Sequence, residues 1–207
     1  MVGRCARLLM PGEVAMQAWS RRLLPVLALV VAVGCTPAAP TPSPLPSFRC
    51  TPEAGGAEFD CSQAQYDEMV AKDALYAEAE AVYRKFLAED TRIMRAGGVA
   101  EPTDVILETT SGAFLEDVMT LYRSLSENKS VAEGDDPVLR VFQRAPGRTK
   151  TGSVVSVTTC VDSTGLQFLR DGEAVGPGLI ALDENYFGLV DGQIRIIGAD
   201  GKLVNEC

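Results

Sequence analysis

Residues 186–207 read YFGLVDGQIRIIGADGKLVNEC. Apolar and polar side chains alternate on both sides of Asp191-Gly192, which is the period-two spacing of a half-buried strand. The dipeptide itself suits a two-residue hairpin turn, where both central residues need positive φ. Asp171-Gly172 and Asp200-Gly201 repeat that chemistry, and working back from the quoted stretch gives a series of candidate strands. These are 138–145, 152–161, 165–170, 179–182, 184–190, 193–197 and a short 202–205. Strands joined by successive hairpins form an antiparallel sheet.

Upstream of Val138 the period changes to that of a helix. Ser62 followed by Gln65 has the capping-box arrangement, and apolar residues then recur at Tyr66, Met69, Val70, Tyr76, Ala79, Val82, Tyr83, Phe86, Leu87, Ile93 and Met94. Glu68 with Lys72 and Glu80 with Arg84 are spaced for ion pairs along the helix, and Gly97-Gly98 ends it. Thr103 to Glu108 reads as a turn. A second amphipathic helix follows, capped by Thr110 or Ser111, with Phe114, Leu115, Val118, Met119, Leu121, Tyr122 and Leu125 on its buried face. The polar stretch Glu127 to Pro137 reads as a loop, and its acidic end lacks the alternating oxygen ligands of a calcium loop. The fold class expected is α+β, a single domain over 48–207 with long N-terminal helices packed on a curved, cone-like antiparallel sheet.

Residues 21–35, RRLLPVLALVVAVGC, have a different character. Two arginines precede an apolar run, Leu23 to Val33, too short for the roughly 20 residues that span a bilayer. The run closes on Ala32-Val33-Gly34-Cys35, which resembles a lipobox, where a signal peptide is cut before an acylated cysteine. Residues 1–34 are therefore expected to be a signal peptide, with Met1 to Ala15 either an upstream mis-start before Met16 or an overlong leader, and Cys35 the lipidation site; the alternative is a plain secretory signal cut near Ala38-Ala39. Thr36 to Ser47 holds five prolines in TPAAPTPSPLPS and favours polyproline II, making 35–47 a lipidated, stiff tether. The expected location is the extracytoplasmic face of the cell membrane, with attachment through acyl chains contributing on the order of 0.8 kcal/mol per buried methylene.

The chain of 207 residues carries a formal net charge of −9. Loss of 1–34 removes four arginines and one glutamate, giving about −12, a surface that repels nucleic acid. Of six cysteines, Cys5 leaves with the leader and Cys35 is acylated. Cys50, Cys61, Cys160 and Cys207 remain as a disulfide framework with three connectivities, of which Cys50–Cys61 and Cys160–Cys207 is favoured. The first would close a short Gly-rich loop and the second would tie Cys207 onto a strand.

The chain contains no histidine, which excludes histidine-based triads and metal centres, and no C-x-x-C pair that would hold zinc. Neither a nucleophile elbow nor a P-loop nor a dinucleotide fingerprint is present, so no metal or cofactor is expected. Residues 147–152, GRTKTG, read as a hairpin turn, with Arg140, Arg144, Arg148 and Lys150 gathered around it. These basic residues form either a solvated edge or a contact for anionic lipid or an acidic partner. Asp162, after Cys160-Val161, is the carboxylate to weigh as a general acid or base, against a plain turn-capping role in Asp162-Ser163-Thr164-Gly165.

Two helices followed by hairpin-linked strands, the segment TTCVDSTG and the close quoted above resemble small actinobacterial envelope lipoproteins with a nuclear-transport-factor-2-like domain. That wider fold includes ketosteroid isomerase and SnoaL-like cyclases beside non-catalytic domains, so the resemblance implies shape more than activity. The expected function is non-enzymatic binding of a small ligand or protein partner by a membrane-anchored lipoprotein. The alternatives are a small isomerase or cyclase-like enzyme using Asp162, and a structural or prophage-exclusion role at the cell surface.

Overall fold

The computed structural model describes residues 47–207. The expected signal peptide, Cys35 and the tether up to Pro46 lie outside the described residues. The described part is α+β, with one long helix and three antiparallel sheets, none closed into a barrel.

β1 (Phe48–Cys50) and β2 (Phe59–Cys61) form a two-stranded sheet, and α1 follows at Gln63–Arg95. The capping box forms as the sequence implies: the Gln65 amide donates to Ser62 Oγ at 3.3 Å and the Ser62 amide to Gln65 Oε1 at 2.9 Å. At 33 residues α1 is about 50 Å long. Its stripe buries Tyr76, Ala79, Tyr83, Phe86 and Ile93, while Val70 lies off it and is exposed. Gly97 and Gly98 both take φ of 82°, and the Gly98 amide donates to Ile93 O at 2.9 Å. A Cβ at Gly98 would land on the carbonyl of Tyr122 and 2.8 Å from the Ser126 amide, so only glycine lets the chain turn against the next helix. Gly98→Ala is expected to lower stability by about 2 kcal/mol or more, read from urea unfolding, whereas Gly147→Ala, with open space around it, pays only for its positive φ.

Two stretches differ from expectation. Thr103 caps a short helix, α2 (Asp104–Thr109), rather than opening a turn, because its hydroxyl accepts from the Ile106 amide and Ile106 is fully buried. Residues 127–137 are not all loop: β3 (Ser130–Gly134) runs antiparallel to a later strand with Ala132 buried, a pairing partner that lies far off in sequence. Between them α3 (Gly112–Glu127) starts at Ser111 and is only 16 residues, so a single helix is long.

The remaining strands are β4 (Val138–Arg144), β5 (Ser153–Asp162), β6 (Leu166–Arg170), β7 (Glu173–Pro177), β8 (Ile180–Val190) and β9 (Gln193–Val204). The four-stranded sheet has the order β4-β5-β8-β9, and the β6-β7 hairpin leaves it to pair with β3. Asp171-Gly172 and Asp191-Gly192 have positive φ at both positions, as primed hairpin turns require. Asp200-Gly201 does not turn. β9 runs straight through it and absorbs the two short strands expected at 193–197 and 202–205, as β8 absorbs 179–182 and 184–190. Gly201 is there for another reason, since a Cβ would strike the carboxylate of Asp183 directly across in β8.

The core lies between the helices and one face of the four-stranded sheet, where Val157, Phe187, Ile194 and Ile196 meet Tyr83, Ile93, Ile106 and Tyr122. Each fully buried side chain of this size contributes roughly 1.5–3 kcal/mol. Both favoured disulfides are present: Cys50–Cys61 with Cα atoms 5.9 Å apart and Cys160–Cys207 with 5.7 Å. Among the described residues no helix is long and apolar enough to cross a membrane.

Candidate functional site

An enzyme of the shape expected from the sequence would keep its site between the helices and the sheet. The side chains there are polar in one seam. Asn185 Nδ2 donates to Thr159 Oγ1 at 2.9 Å, and Thr159 Oγ1 donates to the Tyr83 hydroxyl at 3.1 Å. Thr159 is 0% exposed, Asn185 2% and Tyr83 4%. Thr159 has no surface accessible to water, so no water-sized space borders it, and none of the concavities described below is lined by Thr159, Asn185 or Tyr83. The three groups satisfy one another as buried polar groups must, and burial pushes the Tyr83 hydroxyl up to about 12. Asp183 is partly buried beside Gly201, and burial raises its pKa as well.

Asp162 lies elsewhere. Its Oδ1 accepts from the Thr164 amide at 3.1 Å and the Thr164 hydroxyl at 2.6 Å, and Arg140 reaches Oδ2 at 3.1 Å. The Thr164 bonds first, then Arg140, hold the carboxyl below the usual carboxylate range. A general acid at neutral pH needs the opposite shift. The arrangement is that of a carboxylate capping the turn between β5 and β6. The shallow depression beside it is bordered by Arg140, Ile180 and the Cys207 end of the disulfide.

The basic residues around the β4–β5 hairpin are matched one for one with acids. Arg140 pairs with Asp162, Arg144 with Asp73 at 2.6 Å, Arg148 with Glu184 at 3.1 Å and Lys150 with Asp200 at 3.4 Å. The hairpin therefore presents no net basic patch to a polyanion, and it curls over the outer sheet face, where Lys150 sits 5.3 Å from the Tyr186 ring centre.

One concavity lies where the Cys50–Cys61 loop crosses the start of α1. It has a volume of about 200 Å³ and joins a smaller one of about 110 Å³ under the hairpin, the two sharing Glu53 and Lys72. Pro52, Phe59 and Met69 give it an apolar floor, and Glu68, Asp73 and Arg144 a charged rim. Three contacts fix that rim. Arg144 stacks 4.7 Å from the centre of the Tyr76 ring while pairing with Asp73. The Tyr76 hydroxyl donates to Glu53 Oε1 at 2.6 Å, and burial followed by that bond raises its pKa. Lys72 donates to Val154 O at 3.0 Å, so it does not form the Glu68 pair its spacing implies, whereas Glu80–Arg84 forms at 2.7 Å. Glu68 has no cation within ion-pair distance among the described residues.

The sequence singled out neither the groove nor the polar seam. Tyr76 and Tyr83 belong to a tyrosine-bearing helix stripe that reads as core or as the lining of a cavity, and Thr159 and Asn185 sit in strands, where a threonine or asparagine draws no notice. A usable signal was Thr159 at a position that alternation assigns to the buried face between Val157 and Val161. No protein-family model and no curated protein matches the chain.

Proposed function

We propose that this protein is a membrane-anchored, extracytoplasmic lipoprotein whose globular body binds a protein partner without catalysis. The observation that carries the reading is the burial of Thr159, Asn185 and Tyr83 where the helices meet the sheet, which supports recognition at the outer surface. The groove at Phe59, Met69 and Glu68 is the surface assigned to it. Its volume falls below the roughly 300 Å³ of ordinary small-ligand pockets, so it suits an anchoring side chain better than a whole small molecule. The unpaired Glu68 beside an apolar floor favours a partner side chain with a long aliphatic stem and a basic head.

The leader, Cys35 and the proline-rich stretch support the anchoring half of the reading. The expected mass of the membrane-extracted chain is that of a product beginning at acylated Cys35 with four cysteines oxidised, and Cys35→Ser releases the protein from membranes. Firm retention of Cys35→Ser would overturn the anchor. The binding half is tested separately by titrating 2-naphthol, an aromatic of the size an isomerase-like interior takes. The Val157, Phe187 and Ile196 resonances are expected to stay in place, and a saturable shift in them would restore an interior site and the enzyme reading with it.

A further inference from the structure

β9 is an edge strand of the four-stranded sheet, and its two halves are treated differently. Its first half is covered: Thr110 bridges to Ile196, the Ser111 amide donates to Ile196 O at 2.9 Å, and Ile194 and Ile196 are buried. On the side away from β8 its second half pairs with no strand among the described residues, and Asp200, Gly201, Lys202 and Leu203 are all exposed, Leu203 at 65%. An uncovered edge is a row of unpaired backbone groups ready to accept another strand.

The occupant is written in the strand's own order of residues. We infer that β9 pairs antiparallel with β9 of a second copy of this chain, about a twofold axis through Gly201. In that register Asp200, which also pairs with Lys150 of its own chain at 3.4 Å, faces the partner's Lys202, and Lys202 the partner's Asp200, both on the outer face. On the other face Leu203 lies opposite the partner's Ala199, so the most exposed large apolar side chain of the domain gains cover against a small one. Gly201 meets Gly201 at the axis, where Asp183 already leaves no room for a side chain. A lysine on an edge usually repels incoming strands. Here the aspartate two residues before it turns that repulsion into complementarity, and it does so only in the register centred on Gly201. Lys202 also has no carboxylate within ion-pair distance in the single chain, among the described residues. Five paired residues a side make a small contact, below the ~1,200 Å² of standard interfaces, so the dimer is a weak, reversible one.

The test is zero-length carbodiimide coupling of a mixture of ¹⁴N- and ¹⁵N-labelled full-length protein, read by mass spectrometry, beside sedimentation equilibrium up to millimolar concentration. Expected are mixed-isotope Asp200–Lys202 cross-links and a monomer–dimer equilibrium. Asp200→Lys and Lys202→Asp each weaken the dimer about tenfold, since like charges then face each other at both ends. The double variant, with the two charges exchanged, restores it. Unchanged thermal unfolding of each variant separates loss of pairing from loss of fold. A chain that stays monomeric throughout, or single variants that dimerise like the parent, or a double variant that does not recover, would each overturn the pairing. None of these outcomes bears on the lipid anchor or on the groove.

Discussion

Replacing the Cys160–Cys207 bridge, as Cys160→Ala with Cys207→Ser, is expected to lower unfolding stability by about 4 kcal/mol. Its loop of 47 residues is the longer of the two, and the constraint a disulfide places on the unfolded chain grows with loop length. The native side is prepared for the change: Cys160 is fully buried, so alanine adds no unsatisfied hydroxyl, while Cys207 is exposed and tolerates serine. The bridge runs from the segment after β9 back to β5, past the intervening strand β8, so its loss frees the β9 end of the sheet as well. For a domain of this size 4 kcal/mol corresponds to a fall in Tm of roughly 8–16 °C. The Cys50–Cys61 bridge closes 11 residues, about 3 kcal/mol on the same reasoning, and acts locally on a two-stranded sheet that is marginal alone. Its loss is expected to speed amide exchange in β1, β2 and the start of α1 more than in β8. Equal Tm losses from the two replacements, with uniform exchange, would contradict this division of labour.

The parts of the fold that were legible in sequence are those fixed by local chemistry. The Ser62–Gln65 cap, the glycines closing α1 and the Asp171-Gly172 and Asp191-Gly192 turns each depend on a few adjacent residues, and each formed as read. What failed depends on partners distant in the chain. β3 is polar and short, and becomes a strand only because β6, about 35 residues on, supplies its ladder. Asp200-Gly201 has the composition of a turn, yet the glycine answers to Asp183 across the sheet rather than to the backbone's own curvature. The candidate site was less legible still. Lys72 chose a carbonyl in β5 over Glu68, and Arg144 found Asp73 and Tyr76, so that two of these contacts join residues 82 and 71 positions apart in sequence. Helical spacing describes one surface of one element, and a groove belongs to several.

Asp90 shows the same dependence on distant partners, and its replacement is the second large effect expected. It lies on α1, accepts a hydrogen bond from the Tyr122 hydroxyl of α3 at 2.8 Å, and has no cation within ion-pair distance among the described residues. Burial pushes its carboxyl up to about 6, and the Tyr122 bond offsets only part of that. An unfolded aspartate titrates near 3.9. The folded chain therefore holds this proton more tightly than the unfolded one, so Asp90 does no harm below pH 4, and its contribution turns unfavourable as pH rises from 4 to 6. Above pH 7 the penalty is constant, and the gap between the folded and unfolded titration points makes it at most about 3 kcal/mol. Asp90→Asn removes the charge and keeps a carbonyl oxygen for Tyr122. It is expected to stabilise the protein by up to that amount at pH 8 and to leave it unchanged at pH 4, with urea unfolding at several pH values as the measurement. Other carboxylates titrate alike in both proteins, so they cancel from the difference. The sign is what makes the test sharp: removing a paired surface aspartate would cost stability at pH 8 and nothing at pH 3, so a difference of that form, or one independent of pH, would mean that Asp90 is not the desolvated group its position on α1 makes it.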